Sequence, residues 1–236
     1  MILWLILFLL IIGISFILAL RSMKDYQEIP EKAKAEYGLF LIRQTENFDA
    51  DVLNSIGKFI LDKGLIISVE RLFKGSEAAL TIFGPKEILD KFSQSLNLLE
   101  LEDYMYELDT QDIAIWELGI KSSKNLQFDN PNNIFKNLSE LGKEDQFFWQ
   151  VILGARKDKE DLLFQTQIRA AIYCKDPVKM KTLVALLQNL KLGELTKVPQ
   201  PFSAEQMMGF FKQRSLSKDS NGPILTADGI MSLLRI

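Results

Sequence analysis

The sequence predicts an α+β chain: an amino-terminal transmembrane helix, two successive units of β-α-β-β-α-β order, and a short helical tail. Three observations carry that expectation. Residues Ile2 to Leu20 contain no ionisable side chain. The stretch after them alternates β-branched apolar runs with helical apolar stripes, and does so twice. Beyond Pro199 and Pro201 the pattern turns helical, crosses a polar stretch from Ser215 to Pro223 and enters a final apolar segment ending at Ile236.

The apolar run comes first. As a helix rising ~1.5 Å per residue it spans roughly 28 Å, close to the ~30 Å hydrocarbon core of a bilayer. A helix satisfies its own backbone polar groups in lipid, and each central Leu, Ile or Phe favours insertion by roughly 0.3–0.6 kcal/mol. No Lys or Arg precedes the run, and Ile17-Leu18-Ala19 is a poor cleavage site, so the segment reads as an anchor rather than a signal peptide. The anchor set is Trp4, Phe8, Phe16 and Leu20, with Arg21 and Lys24 at its end. Lys and Arg beside a span favour the cytoplasmic side, which places the chain as a single-pass inner-membrane protein with its body in the cytoplasm. Cys174 is the one cysteine, so no intrachain disulfide can form.

About 210 residues remain for folded structure, enough for one large or two small domains. The expected division is anchor 1–20, linker 21–37, first unit 38–108, second unit 109–200 and tail 201–236. In the first unit, Gly38 to Gln44 reads as a strand. Asp49 is placed to cap a helix carrying Val52, Ile56, Phe59 and Ile60, which Lys63-Gly64 ends. Leu65 to Phe73 and Glu77 to Phe83 form a hairpin around Lys74-Gly75-Ser76. Pro85 opens a second helix with Ile88, Leu89, Phe92 and Leu96, and a last strand lies within Leu98 to Leu108. This order is that of the ferredoxin-like split βαβ arrangement.

The second unit repeats it. Ile113 to Ile120 is a strand, and Asn130-Pro131 opens a helix with Ile134, Phe135 and Leu138. Gln146 to Ala155 and Leu162 to Cys174 make a hairpin about the charged turn Arg156 to Asp161. Asp176-Pro177 starts a helix bearing Val178, Leu183, Leu186, Leu187 and Leu190, and Leu195 to Val198 closes the unit. In the tail, Ser203 caps a helix carrying Met207, Met208, Phe210 and Phe211, and a final apolar segment contains Leu233 and Leu234. These six are the candidate partner contacts, because Met-rich apolar surfaces adapt to varied partners.

Several functions are disfavoured by what the residues are. There is no histidine, which removes Ser-His and Cys-His catalysis and His-ligated metals together. Gly57-Lys58 and Gly142-Lys143 are followed by Phe and Glu, so the phosphate loop G-x-x-x-x-G-K-[ST] is missing. Neither a G-x-S-x-G elbow nor a dinucleotide fingerprint occurs. The carboxylates are scattered over helix faces and turns. No catalytic, cofactor-binding or metal residue is therefore named, and the chain reads as non-enzymatic. A net charge of -3, and the lack of an aromatic RNA-recognition strand pattern around Phe147-Phe148-Trp149, disfavour direct nucleic-acid binding.

Gln146 to Lys157, Phe164 to Ile172 and the helix from Asp176 together resemble the region preceding the motor in bacterial conjugative type IV secretion ATPases and coupling proteins. In that family a membrane-anchored region precedes a RecA-like hexameric ATPase. Ile224 to Leu234 is similar to the stretch entering that motor, in pattern L-x-[ST]-x-E-[IL]-A-x-L. The likeness spans roughly residues 110 to 236. It implies a non-catalytic, membrane-anchored docking module of a conjugative DNA-transfer apparatus, the amino-terminal part of a split or truncated transfer ATPase. Its expected partners are the lipid bilayer and a separate ATPase motor or other secretion component, with homo-oligomerisation open. No catalytic residue carries over, because the motor's motifs have no match here. The alternative reading is a membrane-tethered, ligand-sensing regulatory domain.

Overall fold

The computed structural model describes Ser15 and residues 35–120, 141–189, 195–198, 202–216 and 222–234. The strands are β1 (Tyr37–Ile42), β2 (Ile66–Lys74), β3 (Glu77–Pro85), β4 (Leu98–Leu101), β5 (Ile113–Ile120), β6 (Gln146–Asp158), β7 (Asp161–Tyr173), β8 (Leu195–Lys197) and β9 (Ile224–Leu225). The helices are α1 (Ala50–Lys63), α2 (Lys86–Leu89), α3 (Ser93–Leu96), α4 (Pro177–Asn189), α5 (Ala204–Gln213) and α6 (Ala227–Leu234).

Among the described residues nine strands join one antiparallel sheet in the order β4-β1-β3-β2-β6-β7-β5-β8, with β9 on the free flank of β7. This corrects the expected fold class of a transmembrane helix followed by two ferredoxin-like units: the described residues form one mainly antiparallel sheet with few helices. The reason lies in β2 and β6. Each offers a long inner edge, and they pair from Ile66 opposite Gly154 to Lys74 opposite Gln146. An unpaired edge of that length would leave a row of open backbone donors and acceptors. From each rim to this seam the strands run in one order, β4-β1-β3-β2 on one side and β8-β5-β7-β6 on the other.

The expected inner-membrane location is corrected as well. Among the described residues no helix is long and apolar enough to cross a membrane. The anchor residues Trp4, Phe8, Phe16, Leu20, Arg21 and Lys24 lie outside the described residues, as does the helix expected around Ile134, Phe135 and Leu138.

Alternation along the strands divides the core into two layers. One sheet face carries Ile67, Val69, Ile82, Val151, Leu153 and Ile168, and packs under Leu53, Ile56 and Ile60 of α1 and Ile230, Leu233 and Leu234 of α6. Burying each such side chain contributes ~1.5–3 kcal/mol before entropy is counted. The other face holds a smaller cluster, Phe148, Ala171 and Tyr173 with Met105, Leu108, Met208 and Phe211.

Local signals behave as their chemistry requires. The Asp49 carboxylate accepts from the Val52 N–H, and Gly64 closes α1 at φ +62°. Asp176 accepts from the N–H groups of Val178 and Lys179. The buried stripe of α1 differs from expectation, being Leu53, Ile56, Gly57 and Ile60, with Phe59 turned outward. Gly57 is the cause. A Cβ there would sit 2.6 Å from Phe164 Cζ and 2.8 Å from Leu162 Cδ2, so the bare backbone is what lets the helix settle on β7. Phe59 instead meets Phe92 edge-on at 6.2 Å, with Lys91 Nζ 4.1 Å over its ring.

Candidate functional site

The register of the sheet lines up five side chains across five strands. Thr81 of β3 faces Glu70 of β2, Glu70 faces Gln150 of β6, Gln150 faces Arg169 of β7, and Arg169 faces Glu117 of β5. All five are buried. They sit on the face opposite α1 and α6, since their neighbours Val69, Val151 and Ile168 point the other way. Buried polar groups need partners, and three buried charges need them more.

The tail supplies those partners. Residues 202–216 lie over this row as a strap built on α5. Ser203 and Gln206 form a reciprocal capping box at its start. At its end the helix carbonyls are received by the row. Gln150 Nε2 donates to Phe211 O at 3.1 Å, Arg169 Nη1 to Phe210 O at 2.9 Å, and Arg169 Nη2 to Ser215 O at 2.7 Å. A guanidinium under the last turn also meets the negative end of the helix dipole.

Arg214 then returns a charge to the sheet. Its Nε donates to Glu70 Oε1 at 2.8 Å, and its two terminal nitrogens bind Asp103 at 2.7 and 3.0 Å. The guanidinium lies 4.3 Å over the Phe83 ring. Glu70 accepts in addition from Ser68 Oγ at 2.9 Å, from Gln150 Nε2 at 3.0 Å and from the Tyr104 hydroxyl. Arg214 closes α5 at φ +52°, a left-handed position that glycine occupies without cost. A side chain there costs about 1 kcal/mol or more. The bidentate pair with Asp103 offsets that cost, and it explains why arginine stands where the backbone alone favours glycine.

The electrostatics follow from burial and these contacts. Burial works to lower Arg214, but the charge of Glu70 and the hydrogen bonds of Asp103 raise it well above its ordinary value. Burial, reinforced by the Glu70 charge, pushes the Tyr104 phenol far up, so it stays a donor. Burial pulls Arg169 down to about 10 against the opposing charge of Glu117, whose Oε2 is 3.9 Å from Arg169 Nε.

A second, smaller cluster ties the start of β6 to the β2–β3 turn. Gly75 N–H donates to Asp145 O at 3.3 Å, and the Asp145 carboxylate takes Gly142 N–H at 2.7 Å and the Lys179 ammonium. Burial pushes the neighbouring Cys174 thiol up, and Asp145 adds to that rise.

Of the candidate contacts, Met207, Met208, Phe211, Leu233 and Leu234 are buried in the chain's own packing. Phe210 is half-buried against Phe202, ring centroids 4.9 Å apart. Sequence reasoning missed Glu70, Asp103, Arg169 and Arg214. A signal existed for two of them: Glu70 and Arg169 are charges inside apolar strands, at positions that alternation assigns to one face. Among the described residues no group of three or more Asp, Glu or Cys is disposed to hold a metal ion. The arrangement is a fastener, in which side chains of both sheet halves grip one helix end. No protein-family model matches the chain, and no curated protein does.

Proposed function

We propose that this chain is a non-catalytic docking module of a type IV secretion-like conjugative DNA-transfer apparatus, working with a RecA-like motor. The observation that carries the reading is one of assembly. The stretches that resemble the transfer ATPases, 146–157, 164–172 and 224–234, come together around one hairpin. β6 pairs with β7 along its whole length, and β9 adds to β7 with Leu225 opposite Phe164 and Ile224 opposite Gln165. α6 follows directly and packs on α1. A docking role also suits the buried charges, because Glu70, Asp103, Arg169 and Arg214 are each engaged by other groups of the chain.

Ile224 tests the reading, since its side chain is 48% exposed beside that hairpin. The full chain would be co-expressed with a RecA-like transfer ATPase from the same genome, and the recovered complex measured. Ile224→Lys is expected to lower recovery roughly tenfold without moving the melting temperature. Equal recovery of variant and parent, or no complex with the parent, sinks the docking role.

A further inference from the structure

We infer that the strap of residues 202–216 is an autoinhibitory latch: α5 is itself a docking helix, held shut on the sheet by Arg214 and Arg169, and it lifts as a unit. This rests on the docking role and adds its regulation.

Met208 and Phe211 enter the small cluster with Phe148, Ala171 and Tyr173, and beside that apolar packing the end of the strap is fastened by polar contacts. Two carbonyls of the helix's last turn and that of Ser215 just past it are held by Gln150 and Arg169, and the strap's one buried cation is held by Glu70 and Asp103. Groups fastened this way regain hydration when they part, whereas parted apolar surface regains nothing. Desolvating an ion costs several kcal/mol even in relaxed protein, so a charge-held closure is less stable than its contacts suggest. The left-handed backbone of Arg214 subtracts further from the closed state. Segments with such a balance open locally below the threshold of global unfolding.

What lifting uncovers is matched to docking. α5 presents Met207, Met208, Phe210 and Phe211 within five positions, the i, i+3, i+4 spacing by which amphipathic helices enter apolar grooves. Met is the residue whose flexible thioether suits such grooves. Closed, three of the four are buried, and the helix is withheld. The partner implied is an apolar groove with an acidic margin, since Lys212 and Arg214 leave with the helix.

The test reads opening without any partner. Native-state hydrogen exchange would be followed in the full chain for peptides covering 204–214 and, as reference, 53–63 of α1. In the parent the strap amides are expected to exchange faster than those of α1, with a smaller denaturant dependence. Asp103→Asn, which weakens one hydrogen-bonded pair, is expected to speed strap exchange by roughly tenfold or more and leave α1 unchanged. Arg214→Lys, which keeps the charge but loses the fork, should act in the same direction. Strap and α1 amides exchanging together through one global event, in the parent and in both variants, overturns the latch. That result leaves the Ile224 experiment standing, so the two readings fail separately.

Discussion

The β1–β4 half and the β5–β8 half order their strands alike from rim to seam, yet they treat one sheet face differently. One strand out from the seam, the first half has Thr81 where the second has Arg169. One strand further, Leu41 stands against Glu117. The polar row is thus neutral at its β3 end and charged at its β5 end. The strap's helix end meets both: Arg169 of the charged side donates to the Phe210 and Ser215 carbonyls, while Glu70 and Asp103 of the first half hold Arg214. The lesson is that a matched pair of strand orders does not make a matched pair of surfaces. Two side-chain exchanges on one face give the halves different parts in holding the tail: the second donates to its carbonyls, and the first accepts from its guanidinium.

The largest effect should come from the row itself. Arg169→Ala removes the donor to two strap carbonyls and leaves Glu117 buried without its counter-charge, so about 3–5 kcal/mol of stability should be lost. Thr81→Val at the matching place gives up one long hydrogen bond of 3.5 Å and should cost under about 1 kcal/mol. Denaturant unfolding of both variants measures the contrast, and equal losses would break the comparison.

Next in size come two glycines in helices on opposite faces. Gly57→Ala drives a methyl into Phe164 and Leu162 and should destabilise by about 1–3 kcal/mol. Gly209→Ala in α5 meets open space and should stabilise by roughly 0.5–1 kcal/mol. A thermal melt of each shows the opposite signs.

The cluster at the β6 start gives a pH effect. Burial works to raise the Asp145 carboxyl, but hydrogen bonds from Lys179, Cys174 and Gly142 hold it below its ordinary 3.8. A carboxylate held low in the folded state contributes its stability above that ordinary value, and loses it as pH falls through the folded one. Acid unfolding below about pH 4 should therefore be shallower in Lys179→Met than in the parent. Parallel acid limbs would remove Asp145 from the seam's support.

The smallest effect belongs to the first-half rim. Lys86 bridges Glu36 and Glu100, Nζ–Oε1 distances 2.6 and 2.8 Å, but both carboxylates are largely in water. Lys86→Met should leave the melting temperature at physiological salt unchanged, because screening removes most of such a pair's worth.

Much of the element order was legible because local chemistry set it. Asp49, Asp176 and Ser203 cap through their side chains and Gly64 through its left-handed backbone, and the two hairpins turn where Gly75 and the charged Asp158 to Asp161 stretch allow. The single sheet was not legible. Nothing local to Ile66–Lys74 says whether its outer edge meets solvent or β6, because that pairing is decided by a strand far along the chain. The fastener was half legible. Glu70 and Arg169 could be seen as charges in apolar strands, but Arg214 and Asp103 sit in polar stretches where a buried pair looks like any surface pair. In the α1 stripe Ile56 and Ile60 are buried as expected, but Phe59 was misread because an apolar side chain was favoured over Gly57, and close packing favoured the glycine.

The seam has one consequence for how the protein is made. Glu70 and Gln150 are 80 residues apart, so β2 is complete well before its partner leaves the ribosome. At roughly 5–20 residues per second, the nascent first half waits about 4–16 s with a nine-residue strand edge uncovered. Glu70, Arg71 and Lys74 interrupt that edge with charge, the usual guard against strand-to-strand aggregation. Slow codons between residues 75 and 146 would lengthen the exposure, and the yield of soluble chain should fall with them.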